Sequence, residues 1–451
     1  MNMLRLLHPR NLSRSVTIRV ALFLALTINL ASAAEPSLQL KENDVWVMSG
    51  DSITAQRLHT NYIEAFYRAR NPNMHLHFRN SGIGGNRTSS VLARFDYDVA
   101  AWKPTIVSVE LGMNDVNGPV DAYINGMKEL ITKIRAIPAQ PVLISSSPVD
   151  DGSLMDDWKS ERCAKIHPFT QALKKLAEEE KVVFVDQYHP LIALWGPNRK
   201  RGAEAAAAKA ATQPVKAAAT PAPKVTTPTP ASVAGAQTPA PPKAPPIPPG
   251  LIPLGGDSVH PGPVGQYTMA AVILKGLGAS GEVSSATISA TGKVSEAKRC
   301  KITDAAAKDG KLTFTRLDET GPWPIDPKAK SALQLLPEIL KLSEYNLRVT
   351  GLADGDYRVS IDGKPTATVS AKDLAAGWNI TAALDGALGQ RSSATIALVA
   401  KLQDTLNKDW RAASKAKDTE KLSAAQKAID ECEAQIQAAI QPMALHFQIE
   451  K

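Results

Sequence analysis

Three side chains that could carry out acyl transfer stand in two distant segments of the chain. Ser52 follows Gly50-Asp51, whereas Asp257 and His260 open and close Asp257-Ser258-Val259-His260, about 200 residues later. A serine hydroxyl is a poor nucleophile at neutral pH, so it needs an imidazole to take its proton and a carboxylate to orient that imidazole. The spacing lets Asp257 hold one ring nitrogen of His260 while the other faces Ser52. The two segments therefore favour nucleophilic hydrolysis.

Two further motifs could donate hydrogen bonds to a developing oxyanion. Gly85 lies in the glycine-rich segment 80–88, and Asn114 lies in Gly112-Met113-Asn114-Asp115. Glycine lets the backbone N–H approach a ligand closely, and an asparagine amide is a second donor. The glycine-rich segment lacks the Gly-Lys-Ser or Gly-Lys-Thr ending of a phosphate loop. Taken singly, Ser52 also fits a helix cap, Gly85 an ordinary turn and Asn114 an Asx-turn.

Alternating apolar strands and amphipathic helices indicate how these residues are positioned. Strands are predicted at 44–50, 74–78, 105–111, 141–145 and 182–185, and helices at 54–70, 120–136, 161–180 and 262–277. This order is typical of an α/β fold with a mostly parallel sheet, which binds ligands beyond the carboxyl ends of its strands. Ser52, Gly85 and Asn114 each follow a predicted strand. The sequence thus places all three at one rim.

The four motifs resemble those of the GDSL/SGNH hydrolase superfamily, whose blocks contribute Ser, Gly, Asn and His in this order. The resemblance covers residues 43–196 and 254–278. It implies a flavodoxin-like three-layer α/β/α fold with a parallel sheet, a triad of Ser52, His260 and Asp257, and no metal or cofactor. It also implies an oxyanion hole formed by the N–H groups of Ser52 and Gly85 and the amide of Asn114. The glycine block is longer than the Gly-x-Thr of many relatives, so Gly84 remains an alternative to Gly85.

The first 33 residues are typical of an export signal. They contain four arginines and no acid, followed by the apolar run 20–30 and the small-x-small site Ala31-Ser32-Ala33. The hydrolase domain is then predicted at 34–196 and 254–278, in the periplasm or the extracellular medium. An uncleaved membrane anchor is the alternative for the apolar run, which is short for a transmembrane helix. No other stretch could span a bilayer, so no integral membrane domain is expected after signal removal.

Residues 197–253 hold 14 of the 32 prolines and many alanines. Such a composition predicts a disordered or polyproline-like insertion, because it buries too little apolar surface to offset the entropy of ordering. Contact with the cell wall or a polysaccharide is its alternative role. A C-terminal extension follows at 279–451, with a helix at 331–343, a small antiparallel element at 345–369, and a helical hairpin at 395–416 and 421–440.

Charge and cysteine content exclude two classes of partner. Of the formal net charge of +8, residues 1–33 hold +4 and residues 197–253 hold +6, which leaves the body near −2. A nucleic-acid-binding face needs clustered basic residues on a folded surface, so no nucleic acid partner is expected. The three cysteines, Cys163, Cys300 and Cys432, form no CxxC pair, which argues against a thiolate metal site. Their disulfide pairing is left open.

The sequence as a whole predicts an exported serine esterase that hydrolyses acyl esters, O-acetyl or short-chain, on carbohydrate. A small-molecule or polysaccharide ester is the expected substrate. Two alternatives remain: a catalytically silent protein that binds cell wall or polysaccharide, and an acyltransferase that uses the same triad. Among the other histidines, His75 and His77 are predicted to be surface or packing residues. No nearby carboxylate stands at a useful sequence spacing from the remaining four, His59, His167, His189 and His446.

Overall fold

A five-stranded parallel sheet organises the first half of this computed structural model, which describes residues 38–151, 161–212 and 250–451. The predicted export signal and residues 213–249 of the predicted insertion lie outside the described residues. In the sheet the strands lie in the order β2-β1-β3-β4-β5. This is the flavodoxin-like order, so the predicted α/β fold class is confirmed. The elements of this half are β1 Val45–Gly50, α1 Ser52–Ala55, α2 Leu58–Arg70, β2 His77–Gly82, α3 Thr88–Asp98, β3 Ile106–Glu110, α4 Val120–Arg135, β4 Gln140–Ile144, α5 Glu161–Glu180, β5 Val183–Val185, α6 Tyr188–Thr212 and α7 Pro263–Gly276.

Helices cover both faces of the parallel sheet. Successive strand side chains point to opposite faces, and Trp46 and Met48 belong to one apolar cluster, whereas Val47 belongs to another. The first cluster includes side chains of α2, α6 and α7, and the second includes side chains of α3, α4 and α5. The sheet is therefore the middle layer of three, and its carboxyl rim is left for the loops.

Helix α6 corrects the predicted start of the disordered insertion. Disorder was expected from residue 197, but the helix continues to Thr212 with Pro197 inside it. The physical reason is the alanine-rich run 203–211, since alanine has the highest intrinsic helix propensity. The side-chain amide of Asn198 also pairs with the backbone of Ile252, donating at 2.8 Å and accepting at 3.0 Å. These bonds hold the segment that precedes Asp257 against α6.

The C-terminal region contains more strand than the sequence indicated. A four-stranded sheet has the order β13-β10-β6-β7, and a five-stranded antiparallel sheet has the order β12-β11-β14-β9-β8. The hairpin of β11 and β12 is as expected, but β10 pairs with β6 and β13 instead of β11. The strands are β6 Glu282–Ser289, β7 Val294–Lys298, β8 Cys300–Lys308, β9 Lys311–Asp318, β10 Glu344–Thr350, β11 Asp356–Ile361, β12 Lys364–Ser370, β13 Trp378–Asn379 and β14 Leu445–Glu450.

The predicted helix 331–343 is present but divided, and the predicted helical hairpin is present with an irregular first arm. Pro337 divides the former into α8 Ala332–Leu335 and the 3-10 segment Pro337–Leu342, because proline cannot donate the helical hydrogen bond. A short helix, α9 Ala371–Ala376, follows β12. The hairpin runs through α10 Gly386–Thr405, a π-helical turn Leu406–Trp410 and α11 Arg411–Ala416, and returns as α12 Thr419–Ile440.

The C-terminal region packs directly on the parallel sheet and its helices. Trp323 stacks on Tyr267 of α7 at 4.4 Å between ring centroids and donates from its indole nitrogen to the carbonyl of Tyr62 at 2.9 Å. Gln403 of α10 accepts from the backbone N–H of Asn80 at 3.1 Å, so a side-chain amide takes the place of a strand beside edge strand β2. The described residues from 38 onward accordingly form one compact unit.

Among residues 38–151, 161–212 and 250–451, no helix is long and apolar enough to cross a membrane. The three cysteines form no disulfide with one another in the part of the chain that the structure describes.

Candidate active site

Ser52 stands on a tight turn between the central strand β1 and helix α1. The carboxylate of Asp51 caps this helix by accepting from the backbone N–H of Ile53 at 2.9 Å. A Cβ atom on Gly50 would lie 2.0 Å from the hydroxyl of Thr54, so only glycine lets the chain turn this closely. The turn leaves Ser52 half-buried at the carboxyl rim of the sheet, where the sequence placed it.

Asp257 and His260 meet Ser52 in a continuous hydrogen-bonded row. The Nε2 atom of His260 lies 2.8 Å from the Oγ atom of Ser52. Its Nδ1 atom lies 3.0 Å from Oδ2 and 3.1 Å from Oδ1 of Asp257. This is the geometry in which a histidine takes a proton from serine while a carboxylate holds the opposite ring nitrogen.

The loop that carries His260 is built around the Asp257 carboxylate. Its Oδ1 atom accepts the backbone N–H groups of Val259 and His260, each at 2.8 Å. Backbone and side-chain hydrogen bonds from His260 and the backbone bond from Val259 lower the pKa of Asp257 to about 2. Asp257 is also well exposed to solvent, which favours the charged form, so it stays ionised at neutral pH.

Two glycines immediately before Asp257 make this loop feasible. Gly255 and Gly256 have φ angles of +76° and +70°, in the left-handed region that favours glycine. A Cβ atom on Gly256 would also lie 1.9 Å from the carbonyl oxygen of His260. Gly255-Gly256 is thus a signal for the loop that the sequence analysis did not use.

The three predicted oxyanion donors, Ser52, Gly85 and Asn114, lie in the segments that follow β1, β2 and β3. The side-chain nitrogen of Asn114 donates to the carbonyl of Asn86 at 3.0 Å and to Asp51 at 3.4 Å, which fixes the direction of the amide. The backbone N–H groups of Ser52 and Gly85 have no hydrogen-bond acceptor among the described residues. A Cβ on Gly84 would approach Ser52 to 3.9 Å, whereas one on Gly85 would meet nothing within 4 Å. The alternative between the two glycines therefore stays open.

Asp115 and Asp51 support this side of the site. Asp115 accepts from the backbone N–H and the hydroxyl of Thr88, at 3.1 and 3.0 Å, and so joins the loop after β3 to the start of α3. Burial, followed by the nearby charge of Glu110, raises the pKa of Asp51 to about 7.

One expectation about the histidines is wrong. His59 does face a carboxylate: its Nε2 atom lies 2.9 Å from Glu110 at the end of β3, and both side chains are buried. The two residues are 51 positions apart, and Glu110 lies in a run that reads as a buried strand, so only the fold brings them together. His75, His77 and His189 also pair with carboxylates, at 2.7, 2.8 and 2.6 Å.

Comparison with known proteins covers the first three motifs, which lie within residues 48–214. A model of the GDSL-like lipase/acylhydrolase family matches residues 48–214. Residues 48–214 thus support the resemblance to the GDSL/SGNH hydrolase superfamily that the motifs predicted. A relative, the acetylxylan esterase of Geobacillus stearothermophilus, is 25% identical over 137 residues, which are 28% of this chain and 60% of that protein. The chain thus spans less than two thirds of that relative.

Solved structures extend the comparison to the fold. The structure of a gut microbial diltiazem-metabolizing enzyme has a TM-score of 0.71 and 20% sequence identity, and the match covers 92% of this chain and all of that one. The shared fold therefore reaches beyond the GDSL/SGNH core into the C-terminal region. A structure of the Geobacillus acetylxylan esterase has a TM-score of 0.37 and 18% identity, covering 53% of this chain and 97% of that one.

Proposed function

We propose that this protein is a serine esterase that hydrolyses O-acetyl or short-chain acyl esters of carbohydrates. The observation that carries the proposal is the row of Ser52, His260 and Asp257, with 2.8 Å between serine and histidine and 3.0 Å between histidine and aspartate. The match of residues 48–214 to an acylhydrolase family supports the reaction class. The acetylxylan esterase relative supports a carbohydrate ester as substrate.

The proposed reaction has two stages. Ser52 Oγ attacks the ester carbonyl while Nε2 of His260 takes its proton, and His260 then gives that proton to the departing alcohol. Water attacks the acyl-enzyme with His260 again as base, which releases the acid and restores Ser52. Asp257 holds the Nδ1–H group of His260 throughout. The N–H groups of Ser52 and Gly85 and the amide of Asn114 would bind the oxyanion.

Ester hydrolysis by wild type and Ser52→Ala tests the proposal. Release of p-nitrophenol from the acetate, butyrate and octanoate esters, and of acetate from acetylated xylan, should be seen for the wild type. Ser52→Ala should lose it all. Ser423→Ala, which changes an exposed serine on α12, is the matched control and should keep full activity. Wild-type activity in Ser52→Ala would overturn the proposed nucleophile.

The same assay addresses the two alternatives. A wild type that hydrolyses no ester but binds polysaccharide would favour the silent binding protein. Transfer of the acyl group to an added sugar in preference to water would favour the acyltransferase, which needs the same triad.

We also propose that the protein is exported, on the strength of the arginine-rich start, the apolar run and the Ala31-Ser32-Ala33 site. N-terminal sequencing of the protein recovered from the periplasm or medium should begin at Ala34. Retention of residues 1–33 on a membrane-bound protein would instead support the anchor. Contact with the cell wall through the proline- and alanine-rich segment is part of this proposal, and loss of wall binding when residues 214–249 are deleted would support it.

A further inference from the structure

A buried ion pair lies beneath the nucleophile's helix and takes no part in the proposed proton transfers. His59 of α2 and Glu110 of β3 are 2.9 Å apart, with side chains only 2% and 6% exposed. The other oxygen of Glu110 accepts from the amide of Gln187 at 2.7 Å. A buried charged pair is costly unless its remaining hydrogen-bonding groups are also satisfied. The remaining hydrogen-bond partner of the His59 ring therefore shows which residues the ion pair orients.

Both ring nitrogens of His59 face oxygen atoms. Its Nδ1 atom lies 2.5 Å from Oε1 of Gln266, and the backbone N–H of His59 donates to that same oxygen at 3.0 Å. The backbone donor fixes this atom of Gln266 as the oxygen, so the imidazole must donate from both nitrogens. Burial by itself would lower the pKa of His59, but the charge of Glu110 and the hydrogen bonds that His59 donates to Glu110 and Gln266 raise it. The backbone N–H and the Nδ1–H group of His59 therefore fix the orientation of Gln266.

The orientation of Gln266 fixes that of Gln56 in turn. With its oxygen turned to His59, Gln266 donates from Nε2 to Oε1 of Gln56 at 2.8 Å. Because the oxygen of Gln56 is thereby used, its own Nε2 atom donates to the carbonyl of Pro261 at 3.2 Å. Each amide in the row has its direction set by the one before it.

Gln56 connects the main chain of the nucleophile to the main chain of the base. It ends helix α1, and its backbone N–H donates to the carbonyl of Ser52 at 3.1 Å. Its side chain holds the residue that directly follows His260. We propose that Gln56 is a positioning residue for His260, oriented by Gln266 and the His59–Glu110 pair, and that it sets the separation of Ser52 and His260. This inference rests on the proposed esterase function.

Substitution of Gln56 tests the inference without disturbing the buried pair. Gln56 is half-buried, so Gln56→Ala should fold normally. A misplacement of about 1 Å can cost on the order of 100-fold in rate, and we expect kcat for p-nitrophenyl acetate to fall about 10- to 100-fold with KM changed less than about 2-fold. Gln426→Ala, at an exposed glutamine of α12, is the control and should match the wild type.

A second variant isolates the bond to Pro261. In Gln56→Glu the carboxylate still accepts from Gln266 but has no hydrogen to donate to the carbonyl of Pro261. We expect its kcat at neutral pH to fall at least as far as that of Gln56→Ala. Wild-type kcat in either folded variant, or a loss confined to KM, would overturn the positioning role.

The rate at which a fluorophosphonate labels Ser52 gives an independent reading of the nucleophile. Labelling should slow in parallel with kcat in both Gln56 variants, since attack on phosphorus also needs His260 to take the serine proton. Ser52→Ala is assayed alongside. Activity that survives in Ser52→Ala contradicts the esterase mechanism itself, whereas an inactive Ser52→Ala beside a fully active Gln56→Ala contradicts only the inference about Gln56.

Discussion

At the scale of single residues, hydrogen bonds set the direction of each proposed catalytic group. Asp257 holds both its own loop and the Nδ1 atom of His260, so one carboxylate places the base and orients its ring. Asn114 is held by the carbonyl of Asn86 at 3.0 Å and only loosely by Asp51 at 3.4 Å. The N–H group that points to Asp51 makes the longer hydrogen bond, so it is the one more readily available to donate a hydrogen bond to an oxyanion.

Asn114→Ala should lower kcat for p-nitrophenyl acetate about 100- to 1000-fold, because removal of one oxyanion donor costs about 2.7 to 4 kcal/mol of transition-state stabilisation. KM should change little, since the donor acts on charge that develops in the transition state. Steady-state kinetics check this. Asn407→Ala, which alters an amide on the C-terminal hairpin bonded to the carbonyl of Gln403, is the control. An unchanged kcat would remove Asn114 from the oxyanion hole.

At the scale of elements, the largely buried carboxylate of Glu433 joins helix α12 to the edge of the parallel sheet. Glu433 lies 2.8 Å from His77 and 3.0 Å from Arg79 of β2, and 3.6 Å from Arg68 of α2. Burial by itself would raise the pKa of Glu433, but the hydrogen bond from His77 and the charges of Arg79 and Arg68 outweigh it and lower the pKa to about 2. This carboxylate thus stabilises the folded protein in its ionised form.

Glu433→Gln should reduce the free energy of unfolding at pH 7 by roughly 1–3 kcal/mol, because it removes the carboxylate that pairs with the buried Arg79. The pKa of Glu433 is lowered in the folded state, so its contribution is present above about pH 5 and is lost as the pH falls toward 2. The difference between variant and wild type should therefore shrink on acidification. Urea unfolding at several pH values measures it.

Glu431→Gln, two positions away and exposed on the same helix, is the matched control and should leave stability unchanged. Equal stability of Glu433→Gln and Glu431→Gln at pH 7 would contradict a stabilising role for the buried carboxylate.

At the scale of the whole molecule, the C-terminal region completes the core instead of forming a separate module. Trp323 is only 1% exposed and packs between Phe66 of α2 and Tyr267 of α7, with ring centroids 5.6 and 4.4 Å away. Removal of residues 279–451 would expose this apolar surface and uncover edge strand β2. The region is therefore needed by the domain that carries the site.

The proline- and alanine-rich segment, unlike the C-terminal region, is not expected to be needed by the domain that carries the site. Gly250 lies beside Ala205 of α6, about seven residues and roughly 10 Å before the end of that helix. Residues 214–249 can thus be replaced by a six-residue Gly-Ser linker, since about 3.3–3.6 Å per residue spans the return. We expect kcat/KM for p-nitrophenyl acetate to stay within about 2-fold of the wild type. A loss above about 10-fold would mean that the segment contributes to the site.

The pattern of elements in the parallel-sheet half was predictable because each strand is a short buried run followed by an amphipathic helix. The C-terminal strands were not predictable in the same way. Strand β14 lies between β9 and β11, more than 80 residues from either partner, and β7 is exposed along its whole length. Strands that pair across long sequence separations leave no pattern that identifies the partner. An exposed strand also lacks the alternation of apolar and polar residues from which a strand is predicted.

The sequence by itself supplied the reaction class and the prediction of the triad, because Gly-Asp-Ser, Gly-Met-Asn-Asp and Asp-x-x-His are short motifs of neighbouring residues whose order resembles that of a known superfamily. Only the tertiary structure decided how the triad is supported. Gln56, Gln266, His59 and Glu110 are scattered over more than 200 positions, and their hydrogen bonds form only when α1, α2, β3 and α7 pack together. A side chain's partner across a packed interface depends on that interface, and no spacing in the sequence encodes it.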